Sequence, residues 1–364
     1  MKYVFTILCL IGCLAEGALA QEDAYIINQQ GSITIMPYYQ RWSVRDNFDF
    51  SEFSTSVSLY VPAGREWSLL LRGLPASVNG DVTRLSAFTD TQLGLSYHVE
   101  NPDIVFTLGV NLPTGKKELT QDEFGTSIIL SNSVFNLQVP NFGQGLNISP
   151  GLVYATPLSD DLVLGLGISY QYKGSYKTLA NYDDYNPGDE VVVTGGFDVR
   201  LEEATNLSAD IVVTTYGTDK LGSDDVLSPS TKIAVNAQLL KGLGSDMLTL
   251  FGQFLLKGTS KFTVGNLMID EVDKIEPNRF DLQGRYAARL SERFIMALIV
   301  EGRLYESTEV NFAGKNMFGV GFDSDILLSK SLTLPVKMKY QTGALKDGTT
   351  LSSVSGGVGL MVKF

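Results

Sequence analysis

Val354-Ser355-Gly356-Gly357-Val358-Gly359-Leu360-Met361-Val362-Lys363-Phe364 closes the sequence on a strict alternation. Val354, Gly356, Val358, Leu360, Val362 and Phe364 form one phase, apolar apart from its glycine. Ser355, Gly357, Gly359, Met361 and Lys363 form the other, mostly small or polar. A period of two marks a β-strand with two different faces. About eleven residues is also the length at which a tilted strand crosses a bilayer. A soluble sheet can carry one such strand, so the decision rests on whether the pattern repeats upstream.

It repeats through the chain. Sixteen segments read as strands: 32–41, 52–61, 66–74, 90–99, 103–112, 145–155, 161–173, 190–201, 206–216, 231–240, 247–257, 279–290, 293–304, 317–328, 331–340 and 353–364. The clearest is 161–173, where Leu162, Leu164, Leu166, Ile168, Tyr170 and Tyr172 alternate with small or polar partners. The least regular are 32–41 and 145–155, the latter holding Pro150, so fourteen and twelve strands are the alternatives.

The connections alternate as well. Short ones fall at 62–65, 100–102, 156–160, 202–205, 241–246, 291–292 and 329–330. Long ones fall between them, notably 113–144, 174–189, 217–230, 258–278 and 341–352. Short periplasmic turns, long extracellular loops and an even strand number are the pattern of an outer-membrane barrel. The expected fold is all-β: a transmembrane antiparallel β-barrel of about sixteen strands over residues 32–364, with both termini periplasmic. The last strand should pair with the first.

Targeting and composition agree. Met1-Lys2, an apolar run to Leu14 and Ala18-Leu19-Ala20 have the anatomy of a secretory signal cleaved after Ala20. A short periplasmic segment, 21–31, would follow. Leu10-Ile11-Gly12-Cys13 also has the shape of a lipobox, which leaves lipidation at Cys13 open. Both cysteines, Cys9 and Cys13, lie inside the signal, so neither a disulfide nor a thiolate metal site is expected in the mature chain. The 28 Lys and Arg against 40 Asp and Glu give a net charge of −12, which argues against nucleic acid as a partner. Only 19% of residues are charged, 36 are Gly, and mean hydropathy is +0.08, a balance suited to an outer face that meets lipid.

Enzyme signatures are sparse. His98 is the one histidine, so no His-rich zinc site forms, and any Ser-His-Asp triad would have to use it. Gly165-Leu166-Gly167 and Gly319-Val320-Gly321 alternate within strands and read as packing glycines. The acidic loop groups Asp183, Asp184, Asp189 and Glu190, and Asp219, Asp224 and Asp225, match no calcium-loop spacing. No enzyme activity, cofactor or metal is expected.

Two features bear on transport. Arg72, His98, Lys173, Arg200, Asp281, Arg285, Arg289, Glu301, Arg303, Lys337 and Lys339 all fall on the phase opposite the apolar face. An Arg or Lys facing lipid near the midplane would cost about 2–4 kcal/mol, so these are lumen-facing candidates. Arg285, Glu301 and Arg303 would form a cross-strand ladder. Second, the long connection 113–144 turns greasy: Ile128, Ile129, Leu130, Phe135, Leu137 and Phe142 should not sit in water. It is expected to enter the lumen as a constriction or to lie across the mouth; an extra wall hairpin is the third arrangement.

The pair of strands running from Asp90 through His98 and on to Phe106-Thr107-Leu108-Gly109-Val110-Asn111-Leu112-Pro113-Thr114-Gly115 resembles the outer-membrane proteins of the phenol-degradation MetA type, which carry a similar pair ending in Leu-Pro-Thr-Gly. That group is placed loosely with FadL-like barrels, and the resemblance implies passage of small hydrophobic molecules. Typical FadL proteins begin with an N-terminal hatch near an Asn-Pro-Ala motif; residues 21–31 are too short for one, so the FadL lateral exit is not carried across.

The functional expectation is a channel or transporter for diffusion of small molecules, hydrophobic ones among them. A non-conducting structural or partner-binding barrel is the alternative. Expected partners are outer-membrane lipid and lipopolysaccharide, a small-molecule solute, and the barrel-assembly machinery, for which the terminal aromatic Phe364 would be the assembly signal.

Overall fold

A computed structural model describes residues 30–45, 48–100, 102–116, 118–264, 267–274, 276–310 and 312–364. The expected signal 1–20 with Cys13, and 21–29 of the short segment expected to follow it, lie outside the described residues.

Sixteen strands close into one antiparallel barrel. They are β1 (Ser32–Val44), β2 (Phe48–Ala63), β3 (Trp67–Gly73, continuing as Pro75–Gly80), β4 (Leu85–Phe88, continuing as Thr91–Glu100), β5 (Asp103–Leu112), β6 (Asn147–Pro157), β7 (Leu162–Lys173) and β8 (Glu190–Glu202). The second half comprises β9 (Thr205–Tyr216), β10 (Lys232–Leu243), β11 (Asp246–Lys257), β12 (Arg279–Ser291), β13 (Phe294–Tyr305), β14 (Gly314–Leu327), β15 (Leu332–Leu345) and β16 (Thr350–Val358, continuing as Leu360–Lys363). Each strand pairs with its neighbours in sequence, and β16 pairs with β1, with Tyr38 opposite Gly357 and Ser32 opposite Lys363. Closure leaves no free edge, so every wall N–H and C=O can be paired within the barrel, as a lipid environment demands.

Side-chain phase follows the alternation. Ile33, Ile35, Val57, Leu69, Leu95, Leu166, Ile211, Val300 and Val354 point outward and are exposed, which is the signature of a lipid-facing band. Aromatics flank the band. Near the short turns Trp67 lies 4.4 Å from Tyr97; near the long loops Phe254 lies 6.5 Å from Phe280. Such rings suit the membrane interface, where one end meets hydrocarbon and the other water.

Two strand pairs run further than their sequence pattern indicates. Segments 66–74 and 90–99 were expected to stop at a loop, but the wall continues through Pro75–Gly80 and Leu85–Phe88. Likewise β1 and β2 extend to Val44 and Phe48, with only 45–47 between them. In this raised part the outward positions become polar, with Arg41 bridging Asp49 at 2.7 Å, so it stands above the apolar band. The raised wall supplies an interior surface above membrane height, and the inward loop is built on it.

The remaining long loops carry structure of their own. Tyr185–Asn186, Asp219–Leu221, Asp224–Ser228, Lys261–Val264 and Leu267–Asp270 form a second, five-stranded antiparallel sheet at the long-loop end. Asp219 ties it down: its carboxylate accepts the Tyr185 hydroxyl and, at 2.7 Å, the Gly188 N–H. Burial and that hydrogen bond push the Tyr185 phenol well above its usual range, so it remains a donor.

Candidate functional site: the lumen and its inward loop

The long connection after β5 enters the barrel. Residues Gln121–Ser131 form α1, an element absent from the sequence expectations above. Its start is a capping box: the Thr120 hydroxyl accepts the Glu123 N–H, and the Glu123 carboxylate accepts the Thr120 N–H at 3.0 Å. Lys116 adds an ion pair to Glu123 at 2.5 Å. Burial pushes the Glu123 carboxyl up, but Lys116 and the Thr120 N–H outweigh it and hold it below the usual carboxylate range. Thr120-Gln121-Asp122-Glu123 is the sequence signal that marks this helix.

Asp90 clamps the base of the loop. Its two oxygens accept the N–H of Gly115 at 2.8 Å and of Gln144 at 2.6 Å, the two ends of the excursion. A side chain at Gly115 would fall 2.1 Å from the Phe142 carbonyl, so this crossing needs glycine. The Leu112-Pro113-Thr114-Gly115 run is thus where wall hands over to loop.

Beyond α1 the loop lies against the wall. Leu130, Val134, Phe135, Leu137, Val139 and Phe142 are buried with Trp42 and Phe50 of the first hairpin, Val78 and Leu85 of the raised wall, and Met317, Leu345 and Leu351. Half-buried Ile129 and Tyr305 pack against this cluster. The contact therefore spans eight consecutive strands, from β13 round to β4. Phe135 sets its ring edge-on to Trp42 at 5.3 Å and to Phe50 at 5.0 Å. Of the six greasy loop candidates, Leu130, Phe135, Leu137 and Phe142 are buried and Ile129 is half-buried. Ile128 is the exception at 57% exposed, because it occupies the outer face of α1.

Polar side chains of the wall fasten the tip. Gln40 donates to the Phe135 carbonyl at 3.0 Å, and Arg303 donates to the Ser133 carbonyl at 2.9 Å. Glu52 accepts the Val139 N–H at 3.2 Å. At the middle of α1, Thr126 donates to the Thr83 carbonyl at 3.0 Å. Gln40, Glu52 and Asp90 were not singled out from sequence. A lone polar residue at a strand end carries no signal until the loop that needs it is in place.

By strand alternation the eleven charged or histidine candidates share the phase opposite the exposed apolar side chains, and they do different things. Arg303 meets Asp281 at 2.6 Å, and Arg279 meets the other oxygen at 3.0 Å. Glu301 accepts Gln341 at 2.6 Å and faces Lys339 at 3.2 Å. Glu301 thus bonds to β15, while Arg303 turns to Asp281: Gly319 on the intervening β14 leaves room for the Glu301 carboxylate to reach across. Arg285 sits opposite Ile299 and Thr249 in the register, and Lys337 opposite Asp323. Lys173 pairs with Glu190. Arg72 is half-buried opposite Ser58. His98 bonds Asp103 at 2.6 Å close to the short-turn end. Arg200 and Arg289 belong to the rim: Arg200 pairs with Asp161 of a short turn at 2.5 Å, and Arg289 is exposed.

The other half of the wall, β5 to β12, is not covered by the loop cluster. Many of its inward positions are short or polar, among them Thr107, Gly151, Gly167, Ser169, Thr194 and Ser208, while Phe251, Leu255 and a small cluster of Val105, Val153, Ala155 and Val163 are apolar. A hydrogen-bonded row runs across it: Gln253 donates to Asn236 at 2.8 Å, and Asn236 donates to Asp210 at 2.7 Å. Asp198 stands beside Asp210 on the adjoining strand. Among the described ion pairs neither carboxylate has a cation. No group of metal-ligating side chains is found among the described residues.

No protein-family model matches the chain, and no curated protein sequence does. Among solved structures it is similar to OccK5 of Pseudomonas aeruginosa, with 12% identity over 92% of this chain and 98% of that one, at a TM-score of 0.49. The CymD monoaromatic hydrocarbon channel gives 9% identity over 92% and 89%, at 0.48. The outer-membrane channel DcaP of Acinetobacter baumannii gives 11% over 92% and 96%, at 0.46. At these values the barrel assignment rests on the closed pairing register of the chain itself.

Proposed function

We propose that this chain is an outer-membrane channel for diffusion of small molecules, with residues 113–144 as its constriction. The carrying observation is the asymmetry of the lumen: a loop is packed against β13 to β4, while β5 to β12 are left uncovered and carry the polar row Gln253, Asn236 and Asp210. The apolar outer band and closed strand pairing support a membrane-spanning barrel. The short turns and both ends of the barrel would then lie in the periplasm, and the loop sheet outside. The resemblance through Leu112-Pro113-Thr114-Gly115 adds small hydrophobic molecules to the solutes considered. Reading 1–20 as a cleaved signal supports export.

Single-channel recording in planar bilayers tests this. The intact protein should give discrete conductance steps, and deletion of 128–139 should raise the step size. A barrel that inserts without conducting, or a deletion that leaves the step unchanged, overturns the reading. One observation favours the alternative of a partner-binding barrel: the loop sheet carries exposed Leu267 and Ile269. Truncating 261–270 while conductance persists, and finding attachment to a partner lost, would support it.

A further inference from the structure

The inner wall that the loop leaves uncovered carries a short run of amides around one ring. Gln238 of β10 lies opposite Phe251 of β11, and Phe251 lies opposite Gln283 of β12, so the three form one row across adjoining strands. All three are half-buried, on the phase opposite the exposed Leu250, Phe254 and Leu282. Asn236 and Gln253 form the next row toward the long loops. A hollow in the wall opens beside the ring, and its lining includes Phe251, Gln283, Glu301 and Gly319. Gly319 helps to make it: a Cβ there would fall 2.7 Å from the Glu301 side chain.

The two amides that flank the ring are unused. Neither Gln238 nor Gln283 makes a side-chain hydrogen bond among the described residues. Asn236 and Gln253, by contrast, are engaged with each other and with Asp210. A free amide offers donors on its nitrogen and lone pairs on its oxygen. Neighbouring strands stand about 4.8 Å apart, so the backbones of Gln238 and Gln283 are held roughly 10 Å apart, with the ring between them. That is a span two side chains of this length can bridge through one small solute.

Charge of both signs borders the row, and none stands in it between Gln238 and Gln283. Glu301, next along the row, is taken by Lys339 and Gln341. Asp210 lies in the row toward the long loops and Arg285 in the row toward the short turns. At Phe251 itself a charged solute meets no opposite charge. A hydroxyl both donates and accepts, which matches an amide, and the ring offers a flat apolar face. Sites of this make-up hold a ligand by apolar contact and orient it with a few placed polar groups.

We propose that Gln238, Phe251 and Gln283 form a lumenal subsite for an uncharged ring bearing several hydroxyl groups, the chemistry of a monosaccharide. The C–H face of such a ring lies on Phe251, and its hydroxyls bond the two amides. The inference rests on the channel reading and names a solute class for it.

The test is single-channel recording of the full-length protein in planar bilayers with glucose added. Triethylene glycol, an uncharged chain of similar size with few hydroxyls, is the control. Glucose should reduce the current saturably, each variant being compared with its own sugar-free current, and the glycol should not saturate. Phe251→Ala, and the double variant Gln238→Leu with Gln283→Leu, should each need about tenfold more glucose for half the effect. Phe251→Trp, which keeps a ring, should retain it. Ring and amides are changed separately, so a variant that fails to insert leaves the other to decide. Glucose and the glycol acting alike, or one half-effect concentration throughout the variants, overturns the subsite and leaves the channel standing. A barrel that inserts and never conducts overturns the channel reading, and the subsite with it.

Discussion

Arg303 and Ser133 stand 170 residues apart in the chain and 2.9 Å apart in the barrel, the guanidinium donating to the Ser133 carbonyl. The same guanidinium meets Asp281 at 2.6 Å and donates to the Tyr305 hydroxyl at 3.3 Å. One side chain thus joins two wall strands to the loop tip. It is 6% exposed, so its bonds are little screened.

Replacing Arg303 should therefore be felt twice. Arg303→Met strips Asp281 of one of its two cations and releases the tip. Breaking a buried ion pair costs about 3–5 kcal/mol. The expected outcome is a lower temperature for the heat-induced gel-mobility shift together with a larger conductance step. Asp281→Asn should lower that temperature with less effect on the step, because Arg303 keeps its bond to the loop.

At the loop base, Asp90→Ala removes two acceptors that gather the N–H groups of Gly115 and Gln144. Hydrogen bonds to a charged group contribute about 1.5–3 kcal/mol each. The loop should become open to protease within 113–144 while the barrel stays resistant. Asp90→Asn, which retains one acceptor, should be intermediate. Gly115→Ala should resemble Asp90→Ala, since its methyl would sit against the Phe142 carbonyl.

The wall opposite the loop carries Asp198 and Asp210, neither with a cation among the described ion pairs, which should favour cations in the lumen. Reversal potentials across a salt gradient should show cation preference in the intact protein. The preference should weaken in Asp198→Asn and weaken further in the double variant with Asp210→Asn. An unchanged reversal potential would place the selective region elsewhere.

Phe364 closes the barrel through its backbone as well as its ring. Gly31 N–H donates to the Phe364 carbonyl, and Phe364 N–H donates to the Gly31 carbonyl, both at 2.9 Å. Deleting Phe364 removes this pair and the proposed assembly signal. The amount of heat-modifiable barrel in the outer-membrane fraction should drop. Phe364→Ala keeps the backbone pair, so a matching drop would assign the effect to the ring, and normal yield would remove Phe364 from assembly.

How far the sequence reaches can be judged strand by strand. Leu162 to Tyr172 and Val354 to Phe364 are legible because a lipid-facing wall must alternate, and each strand carries its own evidence. Segments 75–80 and 85–88 are not legible. Above the apolar band both faces turn polar or mixed, and Ser77, Asn79 and Asp81 read as loop. Charged lumen residues are visible as a phase, but their partners are not. Glu301 meets Lys339 only because the register puts Gly319 between their strands.

Alternation, loop rhythm and the greasy run after Pro113 determined from sequence alone that this chain closes into a barrel and that 113–144 could not remain in water. Those are local facts, repeated often enough to be unambiguous. Where that run goes was decided by tertiary structure: Gln40, Glu52, Asp90 and Arg303 come from four strands and meet the loop only after closure. The carrier is not periodicity but the complementarity of surfaces distant in the chain, and no single stretch encodes it.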